Sequence, residues 1–161
     1  MSLTALKVDA IARILLSETI GESQKAKAEL RRLMEEPEEV KRETEISRIH
    51  KLLAQVGVPA HTAGYRYLMM AIQEAVADPL VLLNTTRPEG LLTRIAEKLQ
   101  AKSWYSVERG MRQCIESAWT YGNDAFQREH FPVVSPTTMV PTLLEFISRC
   151  ANIIRLQMEE E

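Results

Sequence analysis

Apolar residues recur along this chain at intervals of three and four, with no sustained alternation of period two and no internal repeat. That periodicity predicts an all-α protein. In residues 3–19 a broad stripe collects Leu3, Leu6, Ala10 and Ile14, and Gly21 is suited to end the helix because glycine accepts a left-handed cap conformation. Residues 22–36 predict a second, strongly charged helix whose large apolar positions are Leu30, Leu33 and Met34, broken by Pro37. Residues 38–45 read as a charged helical connector. Residues 1–45 are thus a helical extension, either a solvated arm or a dimerisation surface built on the apolar stripe.

From Ile46 the apolar density rises, and a multi-helix domain is expected over residues 46–161. Ile46, Ile49, Leu52, Leu53 and Val56 share one helical face that ends at Gly57, before Pro59. Residues 62–77 place Tyr65, Leu68, Met69, Ile72 and Val76 at core spacing, closed by Asp78-Pro79. After a polar connection over residues 84–90, Leu91, Leu92, Ile95, Ala96 and Leu99 form the inner stripe of a further helix, with Arg94, Glu97 and Lys98 expected to face outward.

A short polar break at residues 100–103 separates that helix from one over residues 105–121, with Ser103 or Ser106 available as its N-cap. Two helices joined in this way suggest a helix-turn-helix. On the second, Val107, Met111, Cys114, Ile115 and Ala118 take the core side, which leaves Glu108, Arg109, Arg112, Gln113 and Glu116 opposite. Arginine can donate bidentately to guanine O6 and N7, and glutamate can accept from cytosine N4. Residues near the start of such a helix are the ones that reach base edges. An ordinary solvated helix face has the same periodicity.

Charge adds a local asymmetry that the net value of −2 conceals. Residues 1–45 carry 8 basic and 10 acidic side chains, whereas residues 46–158 carry 12 and 9, before the Glu159-Glu160-Glu161 tail. Within residues 87–112 stand Arg87, Arg94, Lys98, Lys102, Arg109 and Arg112 against Glu89, Glu97 and Glu108. A local excess of this kind permits a phosphate-binding surface.

Separated blocks in this region make the pattern specific: Val58-Pro59-Ala60-His61, Gly64-Tyr65, Tyr67-Leu68, Ala71-Ile72, Ser106-Val107-Glu108-Arg109, and Ala118-Trp119 through Gly122-Asn123. In these blocks the chain resembles the effector domain of the stage-zero sporulation protein A family, the DNA-binding half of a sporulation regulator of endospore-forming Firmicutes. The resemblance covers approximately residues 46–156 and implies a six-helix fold whose fourth helix enters the major groove, often as tandem copies on double-stranded DNA. Glu108, Arg109 and Arg112 match base- or phosphate-contacting family positions. With Ser106 and Gln113 they make the candidate base-reading set, while Arg94, Lys98 and Lys102 are candidate phosphate contacts. The family carries an arginine where this chain has Ser106, and one extra residue enters the turn around residues 102–105, so base preference is expected to differ. The resemblance also implies a contact with RNA polymerase sigma factor, although the segment after Asn123 is shorter here. The family's receiver of roughly 120 residues, with alternating strands and helices, has no counterpart in the 45 residues upstream, so aspartyl-phosphate control is not carried over.

Other chemistry finds little footing. His50, His61 and His130 are scattered, and no HExxH, GxSxG or glycine-rich phosphate loop occurs, so no enzymatic activity is expected. His61 fits a structural or capping role beside a helix start. Cys114 and Cys150 lack a CxxC partner, so neither a metal nor any other cofactor is expected, and both read as buried, reduced thiols. Trp119 reads as packing, while Trp104, beside the turn, fits either packing or base stacking. No apolar run, Leu80-Val81-Leu82-Leu83 included, approaches the length of a membrane span, and no secretory leader pattern opens the chain. The expected location is the cytoplasm, at the nucleoid. Two classes of function fit: a sequence-specific DNA-binding regulator acting as a homodimer or in tandem, and a helical protein-interaction module that retains the fold without specific DNA binding.

Overall fold

A computed structural model describes residues 3–16, 20–34, 38–132, 137 and 139–160, and all of their regular structure is helical. In chain order the helices are α1 (Leu3–Leu16), α2 (Ile20–Met34), α3 (Glu38–Val56), α4 (Ala63–Ala77), α5 (Leu91–Lys98), α6 (Trp104–Tyr121), α7 (Asp124–His130) and α8 (Leu143–Glu159), with a 3₁₀ turn at Pro79–Leu83. The chain divides into two compact units, Met1–Glu43 and Thr44–Glu161.

In the first unit α1 packs against α2. Gly21 lies in the first turn of α2 and so does not end α1. Residues 17–19, Pro37 and the side chains of Leu3, Ala10 and Ile14 lie outside the described residues. Among the described side chains of this unit Ala26 alone is buried, Leu6, Leu30 and Leu33 are half-buried, and Val8, Ile11 and Met34 are exposed. Two helices share a single seam, and this one leaves apolar surface in water.

The expected connector over residues 38–45 is the beginning of α3, which runs unbroken to Val56. Its C-terminus closes by a Schellman pattern: Gly57 at φ +95° and Val58 both donate their N–H groups to the Leu53 carbonyl at 3.0 Å. Helix α4 begins at the N-cap Thr62, whose hydroxyl accepts from the Tyr65 N–H at 3.3 Å and donates to the Pro59 carbonyl at 2.9 Å. Exposed His61 therefore does not cap the helix. The apolar run at residues 80–83 forms the 3₁₀ turn, with Leu80 and Leu83 exposed and the Asp78 carboxylate accepting from the Leu80 N–H at 3.0 Å.

The core of the second unit is built from the expected stripes. Ile49, Leu53, Leu68, Ile72, Leu91, Ile95, Met111 and Ile115 are fully buried. Helix α8 contributes Leu143, Phe146, Ile147, Cys150, Ala151 and Ile154 at spacings of three and four. Its start is fixed by a capping box, in which the Glu145 N–H donates to Thr142 Oγ1 and the Thr142 N–H donates to Glu145 Oε2. Trp119 meets Phe131 and Phe146 edge-on at 5.5 and 6.0 Å, so it is a packing residue, as expected.

One buried polar residue ties three helices together. Gln127 on α7 donates from Nε2 to the Val56 carbonyl at 2.9 Å and the Ala118 carbonyl at 2.7 Å. These carbonyls close α3 and approach the end of α6, and the amide adds a second donor to each beside the backbone N–H groups of Asn123 and Gly122.

Candidate nucleic-acid interface

Helix α5, the turn after it and α6 form a packed helix-turn-helix. The turn is determined by backbone geometry. Gln100 adopts φ 55°, the Ala101 N–H donates to the Ala96 carbonyl at 2.9 Å, and the Gln100 N–H donates to the Glu97 carbonyl at 3.4 Å. This is again a Schellman closure, here with glutamine in the left-handed position usually held by glycine. Ser103 then caps α6, accepting from the Ser106 N–H at 3.2 Å. Trp104 and Tyr105 therefore belong to α6, and the turn ends at Ser103.

Close contact with α4 sets the depth of α6. A Cβ on Gly64 would lie 2.2 Å from the Gly110 carbonyl oxygen and 2.6 Å from Cys114 Sγ, so the two helices cross with backbone against backbone. Thr62 Oγ1 lies 3.0 Å from Cys114 Sγ and shares a hydrogen bond with it. Burial pushes the Cys114 thiol up, and the Thr62 bond offsets part of that rise. Cys150 is fully buried and its thiol is likewise pushed up by burial, against a smaller opposing effect of Arg149. Thiols in this state are poor nucleophiles at neutral pH.

With Val107, Met111, Cys114, Ile115 and Ala118 buried, the opposite face of α6 points to solvent. Tyr105, Glu108, Arg109, Arg112, Gln113 and Glu116 line one shallow concavity of about 470 Å³ there. Four of the five predicted base-reading residues are therefore brought together. Arg112 donates from Nε and Nη2 to Glu108 Oε1 at 3.0 and 2.6 Å, an i,i+4 fork on the surface. Arg109 is exposed and, among the described residues, has no ion-pair partner. The fifth residue, Ser106, is half-buried in the first turn, its hydroxyl 3.3 Å from Ser103 Oγ.

The predicted phosphate contacts are placed differently. Lys102 is exposed in the turn. Lys98 is exposed, with Nζ 3.7 Å from Glu74 Oε1 on α4. Arg94, expected to face outward, is half-buried: its guanidinium pairs with Glu74 Oε2 and donates to the Glu89 carbonyl at 2.6 Å. The cause is Glu74, a carboxylate on α4 that collects both α5 cations and that stripe analysis within one helix does not reveal. Sequence reasoning also passed over Tyr105, whose only signal was its spacing of four residues from Arg109.

Among the described residues no three His, Cys, Asp or Glu side chains gather to hold a metal ion, and no helix is long and apolar enough to cross a membrane. Helices α5 and α6 with the turn between them form a helix-turn-helix within an all-α domain. Residues 49–154 match the family described as sporulation initiation factor Spo0A C terminal. That match covers well over half of the chain, and the chain belongs to this family of DNA-binding transcription regulators, which is not a known enzyme family.

Proposed function

We propose that the chain is a sequence-specific regulator that inserts α6 into the major groove of double-stranded DNA. One observation carries this reading: Glu108, Arg109, Arg112 and Gln113 stand together on the solvent face of a helix whose opposite face is wholly buried. Arg109 suits a bidentate guanine contact, and the Glu108–Arg112 fork orients a second guanidinium beside it. Ser106 contributes to α6's leading turn. Lys98 and Lys102 approach phosphates, and Arg94 joins them only secondarily, because Glu74 engages its guanidinium. The N-terminal hairpin supports pairing of two copies through exposed Val8, Ile11 and Met34.

Selection from a random duplex library with the full chain tests the reading. A defined motif is expected. Arg109→Ala should cost about 1–3 kcal/mol and flatten preference at one base pair. Lys98→Ala should weaken all sequences similarly and lower the salt slope by about one. Failure of the unaltered protein to enrich any sequence at low salt would favour a protein-interaction role instead.

A further inference from the structure

Resting on that reading, we infer that Tyr105 is a specificity-determining residue whose ring seats against the 5-methyl group of a thymine. Tyr105 stands four residues before Arg109 and seven before Arg112, on the same face of α6 and at its leading end. It lines the same concavity, and it is 61% exposed. Trp104 lies edge-on to it, with ring centroids 6.0 Å apart and planes at 86°, which restricts where the Tyr105 ring can go.

Nothing in the core requires an aromatic ring at this position. An exposed ring on an otherwise charged stripe gains by burying its face against apolar surface. Base edges in the major groove offer nitrogen and oxygen acceptors and amino donors, and their one apolar group is the thymine methyl. Chemical complementarity therefore assigns Tyr105 to thymine as it assigns Arg109 to guanine. One helical turn advances about 5.4 Å, so the thymine should lie about one to two base steps from the guanine read by Arg109.

The test compares library selections by the full chain and by its Tyr105→Ala and Tyr105→Phe variants, followed by replacement of the selected dT with dU, which removes only the methyl group. The unaltered protein should select a thymine that Tyr105→Ala no longer prefers, and dU should weaken its binding by about three- to tenfold. Tyr105→Ala should bind dT and dU equally, and Tyr105→Phe should keep the discrimination because it keeps the ring. All three proteins should melt alike, since the side chain is exposed. If Tyr105→Ala selects the unaltered motif, or if Tyr105→Phe weakens every sequence equally, the thymine contact is wrong and the second result assigns the hydroxyl to phosphate. If the unaltered protein selects no motif, the groove-reading function itself falls.

Discussion

A methyl group has no room at Gly64, because the Gly110 carbonyl oxygen would lie 2.2 Å away and is held within the α6 backbone. Gly64→Ala must separate α4 from α6, and we expect a loss of about 2–3 kcal/mol. Gly110→Ala is the contrasting case: its nearest neighbour is the Tyr67 ring edge at 3.3 Å, which can shift, and alanine regains about 1 kcal/mol of helix propensity. Urea unfolding should give a large midpoint shift for the first and a change within about 1 kcal/mol for the second. Gln127 is the polar counterpart, 3% exposed and donating to two carbonyls. Each carbonyl keeps a backbone donor, Asn123 N–H for Val56 and Gly122 N–H for Ala118, so Gln127→Leu should cost about 1–3 kcal/mol and leave the fold intact. Gln127→Glu should be worse at pH 7, where a carboxylate would face two carbonyl oxygens. That site raises the carboxyl's folded-state pKa, so stability should recover as the pH falls and the acid regains a donor, which thermal melts across pH would show.

At the scale of the element, the helix-turn-helix depends on the Schellman closure after α5, the Ser103 cap of α6 and one carboxylate. The Schellman closure after α5 places Gln100 at φ 55°, where a Cβ is disfavoured. Gln100→Gly removes that cost but adds unfolded-chain entropy, and a net gain of about 0.5 kcal/mol is expected. Differential scanning calorimetry should show a slightly higher Tm, with DNA preference unchanged because the substitution touches only the turn. Glu74 performs a different task, drawing Arg94 and Lys98 onto α4 and thereby orienting α5. Its effect on stability is limited by the exposure of Lys98, and its larger consequence is to divert Arg94 from solvent.

At the scale of the whole molecule, the two units differ in how fully they bury themselves. Thr44–Glu161 encloses a continuous apolar core, whereas the described part of Met1–Glu43 buries only Ala26 and exposes Val8, Ile11 and Met34. A two-helix hairpin of this kind gains by pairing with a second copy to make a four-helix bundle. Sedimentation should therefore show the full chain as a dimer and a chain shortened to Thr44–Glu161 as a folded monomer. A monomeric full chain would overturn the pairing role of the hairpin.

Periodicity alone located α4, α5 and α6 and the buried faces of α3, α4, α5 and α6, because a helix repeats every 3.6 residues and its core side follows from local spacing, whereas α7 and α8 were not read from it. The same rule located Glu108, Arg109, Arg112 and Gln113 on one surface, since residues three and four apart are neighbours on any helix. What the sequence left open was the choice between neighbouring helix caps and ends, and the partners that arrive from distant parts of the chain. Ser103 rather than Ser106 caps α6, and Thr62 rather than His61 caps α4, because backbone N–H direction decides which side chain can accept. Gly21 falls inside α2. Arg94 is turned inward by Glu74, 20 residues away, and Gln127 is buried by carbonyls on two other helices. Spacing within one helix states which side a residue occupies, but only the packed tertiary structure brings a charge or a carbonyl from elsewhere to meet it.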